Sequence, residues 1–163
     1  HTVIAVDAGM GTLALRMGTG PADASQVSCI VRRKGETSTL MAMDMGNSQR
    51  LRVGTYDLEV LTLPRTLITD VHVEQGKSTD IVVPKPGVLN IQAQAPGPGS
   101  IFLKQGDELV WVTDLDPASA RHQFRLQPGT YMVTYRSGFA RRTELTLNKD
   151  ISIESGRSAT INF

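Results

Sequence analysis

The residues that could carry chemistry are few and widely separated in this sequence. His1, His72 and His122 lie far apart, and the single cysteine, Cys29, has no second thiol with which to bind zinc or form a disulfide. Neither the Gly-x-Ser-x-Gly motif of serine hydrolases nor a phosphate-binding Gly-x-x-x-x-Gly-Lys-Ser/Thr loop occurs. We therefore expect no catalytic residue, no cofactor and no metal ion, and we predict that the chain is not an enzyme.

Four acidic residues offer the best case for a cation. Asp114 and Asp116 stand on a predicted loop, with Asp107 and Glu108 a short distance upstream. Calcium takes roughly six to eight oxygen ligands, and the spacing of an EF-hand is missing. A plain polar loop is the expectation here, and calcium binding is the alternative.

Cys29 and His72 have structural interpretations. Cys29 precedes Ile30 and Val31, which predicts a small apolar residue in a strand, with a reactive thiol as the alternative. His72 alternates with valines and is expected on a polar strand face.

Two groups of residues are candidate partner surfaces. The first is basic and lies in the second half of the chain; it consists of Arg121, Arg125, Arg136, Arg141 and Arg142. We expect a solvated face here, with a surface for an anionic ligand or partner as the alternative.

The second group is apolar. Met41, Met43 and Met45 share one face of a predicted strand, so they pack in a core or at its edge, or else form a soft partner interface. Trp111 alternates with Leu109, which favours a core position over a platform for a sugar.

An internal repeat organises the elements that must position these side chains. The sequence Gly-Thr-Tyr occurs at 54–56 and again at 129–131. Three further pairs of segments match in the same order: 11–15 with 87–91, 33–36 with 104–107, and 71–78 with 151–158. The chain therefore reads as two tandem units, 1–84 and 85–163, which meet at a proline-flanked joint.

Each unit is predicted to be all-β. Apolar residues alternate with polar ones at Tyr56, Leu58 and Val60, and again at Tyr131 and Val133. This period of two is typical of half-buried strands, and glycine-containing turns separate the runs. No helical pattern is present, so we predict two tandem antiparallel β-sandwich domains of about seven strands each.

The tyrosines of the two Gly-Thr-Tyr sequences indicate the same structural role in each unit. Gly54 precedes Tyr56 as Pro128 and Gly129 precede Tyr131. Each tyrosine should begin a strand facing inward, with its hydroxyl bound to a backbone carbonyl as in a tyrosine corner. The alternative is that Tyr56 or Tyr131 contacts a ligand.

Charge and composition exclude two classes of partner. The 163 residues include 17 basic and 16 acidic side chains, so no strong positive field is available for nucleic acid. No run of about 18 apolar residues occurs, so we expect no membrane span.

The segment 126–133, Leu-Gln-Pro-Gly-Thr-Tyr-Met-Val, followed by 153–161, Ile-Glu-Ser-Gly-Arg-Ser-Ala-Thr-Ile, resembles transthyretin-like and carboxypeptidase-regulatory-like β-sandwiches, including PEGA and CnaB-type modules. The first unit matches with Val53 in place of the proline. Segments 54–64 and 108–112 are similar to repeats that follow von Willebrand type A domains in bacterial envelope proteins. The Asp-x-Ser-x-Ser metal motif of those domains is absent.

The resemblance implies a non-enzymatic structural or interaction module, exported to the periplasm or cell surface. Its partner would be another envelope protein or a further domain of the same polypeptide, and self-association through edge strands stays open. A carbohydrate- or peptide-binding module, suggested by Trp111, Tyr135 and Phe139, is the alternative. A minor alternative, by analogy with CnaB-type modules, is an adhesin with an isopeptide bond, such as one from Lys104 or Lys85 to Asn162.

Overall fold

The computed structural model describes residues 9–18, 27–139 and 145–163. The chain divides into two compact units, His1–Val83 and Pro84–Phe163. Each unit contributes seven strands to the described part of the chain. No helix of the described residues is long and apolar enough to cross a membrane.

The strands of the first unit are β1 (Met10–Met17), β2 (Ser28–Arg33), β3 (Met41–Asp44), β4 (Ser48–Arg52), β5 (Gly54–Val60), β6 (Thr66–Val73) and β7 (Ser78–Val83). Those of the second unit are β8 (Gly87–Gln92), β9 (Gly99–Gln105), β10 (Glu108–Asp114), β11 (Arg121–Leu126), β12 (Gly129–Tyr135), β13 (Leu147–Ile153) and β14 (Ser158–Asn162).

Each unit contains one four-stranded and one three-stranded sheet. The four-stranded sheets have the orders β3-β2-β5-β6 and β10-β9-β12-β13, and the three-stranded sheets have the orders β4-β1-β7 and β11-β8-β14. The prediction of two all-β sandwiches of about seven strands is therefore confirmed.

One strand pair in each unit departs from the antiparallel arrangement that the sequence predicts. In each unit the first and last strands lie side by side and run parallel: β1 pairs with β7, and β8 pairs with β14. A parallel pair needs a long connection, and here the connection is the rest of the unit. Glycine-containing turns in a sequence indicate only where two consecutive strands form a hairpin. They carry no information about the pairing of the first strand of a unit with its last, so the sequence did not reveal this pairing.

The core of the first unit follows the predicted alternation. Leu13, Leu15 and Leu58 are buried in one cluster with Met43. Met41 and Met45 pack against that cluster while remaining partly exposed. The core interpretation of the methionines is thus confirmed, and the alternative of a partner interface does not fit Met43, which is 4% exposed.

A tyrosine in each unit makes the same hydrogen bond. The hydroxyl of Tyr56 donates to the carbonyl oxygen of Arg52 at 2.6 Å, and the hydroxyl of Tyr131 donates to that of Gln127 at 2.6 Å. Both tyrosines are buried, and burial raises the pKa of Tyr131 to about 12. The predicted tyrosine corner is confirmed in both copies, and the ligand-binding alternative does not fit side chains so enclosed.

A glycine near the start of each unit allows close packing of backbone on backbone. A Cβ atom on Gly11 would come within 3.0 Å of the carbonyl oxygen of Glu74, and one on Gly87 would come within 3.0 Å of that of Glu154. Real Cβ atoms do not approach so closely, so glycine is required where these strands cross the turn before the last strand of the unit.

Replacing Tyr131 by phenylalanine tests the tyrosine corner. Tyr131→Phe leaves the buried carbonyl of Gln127 without its donor, which costs about 1–3 kcal/mol of unfolding free energy. Urea unfolding followed by the fluorescence of Trp111, the single tryptophan, measures this loss in the second unit. The exposed neighbour provides the control, since Thr130→Ala should change the midpoint little; equal midpoints for both variants would contradict the assignment.

Alanine at Gly11 tests the close approach. Gly11→Ala should destabilise the first unit by about 1–3 kcal/mol, because the new methyl group overpacks against a carbonyl. Gly54→Ala is the matched control, since its Cβ would meet only ordinary contacts at 3.8 Å or more. Amide hydrogen exchange of β1 and β7 reports the difference, and unchanged protection in Gly11→Ala would show that the chain relaxes around the methyl group.

Candidate functional site

The main candidate surface is the outer face of the four-stranded sheet of the second unit, at its β10 edge. Strand register places Trp111 beside Phe102, and Phe102 beside Met132, in one row. These three residues alternate with buried neighbours such as Ile101 and Val133, so they project away from the core. Trp111 is 58% exposed, whereas Phe102 and Met132 are half-buried.

The prediction that Trp111 belongs to the core is wrong. Leu109 and Trp111 do share a face, as their spacing predicts, but both are largely exposed, at 47% and 58%. A shift of register between Trp111 and Thr113 interrupts the pairing of β10 with β9, and Val112 is the residue of this segment that is buried. Because β10 is apolar at four successive positions, 109–112, its period could not show which face is inside.

The Trp111 side chain is anchored by polar contacts. Its Nε1 donates a hydrogen bond to Oδ1 of Asp114 at 2.9 Å, and the Ser100 hydroxyl donates to the same oxygen at 2.6 Å. Hydrogen bonds from Ser100 and Trp111 lower the pKa of the Asp114 carboxyl, so it is ionised at neutral pH. The indole is therefore exposed with its polar atom already satisfied.

Charge is unevenly distributed around β10. Asp107 and Glu108 are exposed where β10 begins, and neither forms an ion pair with another described residue. The nearest base on the adjacent strand, Lys104, is held by Asp150 at 2.6 Å. The start of the strand is therefore negative.

A shallow cleft adjoins the other end of β10. It has a volume of about 430 Å³, and its lining includes Asp114, Leu115, Tyr135 and Arg136. Arg136 thus offsets part of the acidic charge at this end. Asp116 lies beyond the cleft lining and caps its own loop, where its carboxylate accepts a hydrogen bond from the amide of Ala118 at 3.0 Å.

The described residues of the predicted basic cluster lie on more than one element. Arg121 and Arg125 are exposed on the same face of β11, about 13 Å apart along the strand. Arg136 follows β12, which belongs to the other sheet. Arg141 and Arg142 lie outside the described residues. Neighbours in sequence separate here because β11 and β12 are in different sheets.

The three aromatic residues that suggested a carbohydrate site differ in their exposure to solvent. Phe139 is 83% exposed, whereas Tyr135 is buried and donates its hydroxyl to the carbonyl of Ala95. Trp111 remains the exposed ring with an anchored orientation. Phe102 and Met132, which extend its row, were missed because cross-strand register cannot be read from a single strand.

The remaining candidate residues, Cys29 and His72, are explained by their structural contacts. Cys29 is fully buried, and desolvation raises the pKa of its thiol to about 11, which confirms the apolar interpretation. His72 is exposed, with Nδ1 3.1 Å from the hydroxyl of Thr55. Among the described residues, no group of three or more histidine, cysteine, aspartate or glutamate side chains could hold a metal ion.

The suggested isopeptide pairs do not fit the structure. Lys104 alternates with the inward-facing residues of β9 and bonds Asp150 on the outer face of the four-stranded sheet. Asn162 alternates with buried Ile161 on the outer face of the three-stranded sheet, and Lys85 lies beside Gly156, at the opposite end of β14.

Comparison with known proteins gives similar structures only. No family model matches the chain, and no curated protein matches it. The solved structures include the Bacillus anthracis TIE protein, with 15% identity, a TM-score of 0.38, and coverage of 95% of this chain and 33% of that one. GBS52, the minor pilin of Streptococcus agalactiae, has 9% identity and a TM-score of 0.39, with 95% and 94% covered. A leucine-rich repeat protein from Bacteroides thetaiotaomicron has 11% identity and a TM-score of 0.31, with 95% and 26% covered. The chain spans about a third of the length of the TIE protein.

The buried thiol predicts slow chemical modification. Because Cys29 is enclosed and burial raises the pKa of its thiol to about 11, a thiol reagent should react with the native chain far more slowly than with the chain in urea. Absorbance of the released thiolate from Ellman's reagent measures both rates. Similar rates in the two conditions would show that the thiol is accessible in the folded state.

Proposed function

We propose that this chain is a non-enzymatic structural and interaction module of an exported bacterial envelope or surface protein. It docks another envelope protein, or a further domain of its own polypeptide, through the β10 edge. One observation carries the proposal: Leu109, Val110 and Trp111 are successive apolar residues, each at least 40% exposed, on one edge strand of a well-packed sandwich. Contiguous exposed apolar surface on a stable domain is typical of an interaction site.

The rest of the second unit supports this use of β10. Leu89, Ile91 and Ile101 are fully or nearly fully buried, so the sandwich does not need Trp111 to complete its core. A rigid sheet can therefore present the strand in a fixed conformation, which reduces the entropy lost on binding. Exported location and the class of partner rest on the resemblance carried by residues 126–133 and 153–161.

The anchored indole favours carbohydrate binding as a second candidate function. With Nε1 donated to Asp114, Trp111 exposes the flat ring that stacks against a sugar. The two functions make different demands on β10. A sugar needs the ring face, whereas a docked protein also needs the apolar side chains of Leu109 and Val110.

Site-specific photo-cross-linking tests the docking function. The full chain carrying a photoreactive residue at position 109 should form one discrete protein adduct in the envelope of the cells that express it. Trp111→Ala should reduce the yield at least about tenfold, as expected for loss of an aromatic hot spot. The matched control carries the photoreactive residue at Leu67, which is 70% exposed in the first unit and should give no such adduct.

Two results would overturn docking. Equal labelling from positions 109 and 67 would mean that the adduct arises from random collision. Binding to an oligosaccharide panel that is lost in Trp111→Ala but retained in Val110→Lys would assign the surface to carbohydrate instead.

A further inference from the structure

We infer that β10 receives an extended segment of the partner protein as an added β-strand, and that this segment carries lysine or arginine where it meets Asp107 and Glu108. The inference rests on the proposed docking function and specifies its mode and the chemistry of its partner. It follows from three properties of β10: its free edge, its side chains and its charge.

β10 is an edge strand with a long free side. It pairs with β9 from Glu108 to Asp114, and no other described strand lies beside it. Its outward N–H and C=O groups are therefore a template for another strand.

Two other edge strands of the four-stranded sheets, β3 and β13, are protected by means that β10 lacks. The equivalent strand of the first unit, β3, is only four residues long and ends in the exposed Asp44. At the opposite edge of the β10 sheet, β13 carries Lys149, which lies 5.3 Å from the ring centre of Phe163 and donates a hydrogen bond to the carbonyl of Asn162. Short length and inward-turned charge are two of the usual protections of an edge, whereas β10 has seven residues and an apolar centre, with a shift of register only after Trp111.

Side chains on both faces of β10 can contact an added strand. Leu109 and Trp111 project on the outer face, and Val110, 40% exposed, projects on the other. A docked strand with alternating β-branched residues would pack against them on each side.

Charge selects the occupant. Asp107 and Glu108 have no described basic partner, and Lys104 is already engaged by Asp150. A basic residue next to this end of β10 would satisfy them. A second copy fits poorly, because β10 (Glu108–Asp114) carries acidic residues and no basic one, so pairing two copies would bring only like charges to the edge and leave Asp107 and Glu108 without a base.

Binding of two designed peptides tests the inference. Both have the alternating core Val-Thr-Val-Thr-Val; one is flanked by lysines and the other by glutamates. The fluorescence of Trp111 in the intact chain reports binding directly, since no other tryptophan is present. We expect the lysine-flanked peptide to bind at least about tenfold more tightly at low salt, with the preference weakened by salt. Amide hydrogen exchange of β10 should slow on binding.

Three variants localise the effect. Val110→Lys should abolish binding, whereas Leu147→Lys, a similarly exposed change on the opposite edge strand, should leave it unaltered. Glu108→Lys should remove or reverse the preference between the peptides. Circular dichroism of each variant checks that the sandwich remains folded.

The outcomes separate this inference from the proposed function. Equal affinity of the two peptides, no binding by either, or binding unaffected by Val110→Lys would overturn the strand-addition mode, while an adduct from position 109 would still support docking. Concentration-dependent dimerisation that Val110→Lys abolishes, seen by sedimentation, would assign the edge to a second copy and overturn the basic partner. Selective peptide binding without any envelope adduct would support the mode and contradict the docking function.

Discussion

The hydrogen bond from a buried tyrosine hydroxyl to a carbonyl four residues upstream sets the geometry on which the candidate surface depends. In the second unit it fixes Tyr131 inside the sandwich as β12 begins. Since neighbours on a strand alternate, Met132 must then face outward, and register places it beside Phe102 and Trp111. A slip of one residue would exchange the two faces and bury the row, so the bond at Tyr131 indirectly keeps the aromatic surface exposed.

Duplication makes it possible to separate scaffold from function within one chain. Both units retain the tyrosine corner and the glycine that permits close backbone approach, at Gly11 and Gly87. They differ at the equivalent edges β3 and β10. The first is short, with Met43 directed into the core, and the second is long and apolar on its outer side. A feature shared by both copies is explained by folding, whereas a feature of one copy alone needs another explanation, and β10 is the clearest such feature.

The sequence predicted what depends on local periodicity and missed what depends on pairing at a distance. Tyr56, Tyr131 and Met43 lie where alternation puts them, and the turn glycines Gly76 and Gly156 have the positive φ angles, 68° and 69°, that their positions predict. The parallel pairs β1–β7 and β8–β14 were missed, because their partners are separated by almost a whole unit. The exposed position of Trp111 was missed for a related reason. A run of apolar residues is compatible with a buried strand and with an uncovered edge strand, and only the neighbouring strands in the sheet distinguish the two.

The acidic residues at the ends of β10 limit the tendency of its apolar edge to pair with a second copy. An uncovered apolar edge strand pairs readily with the same strand of another copy, and such pairing leads to aggregation. Glu108 and Asp114 oppose this, since two β10 strands would bring only acidic charges together. In the proposed strand addition, Asp107 and Glu108 attract a basic segment, so the acidic start of β10 disfavours a second copy and favours the proposed partner. Asp114 contributes in a second way, because its hydrogen bond to the indole fixes the ring that either kind of partner would contact. Under this proposal the specificity of the edge arises from the acidic residues where β10 begins, while its apolar centre supplies the contact area.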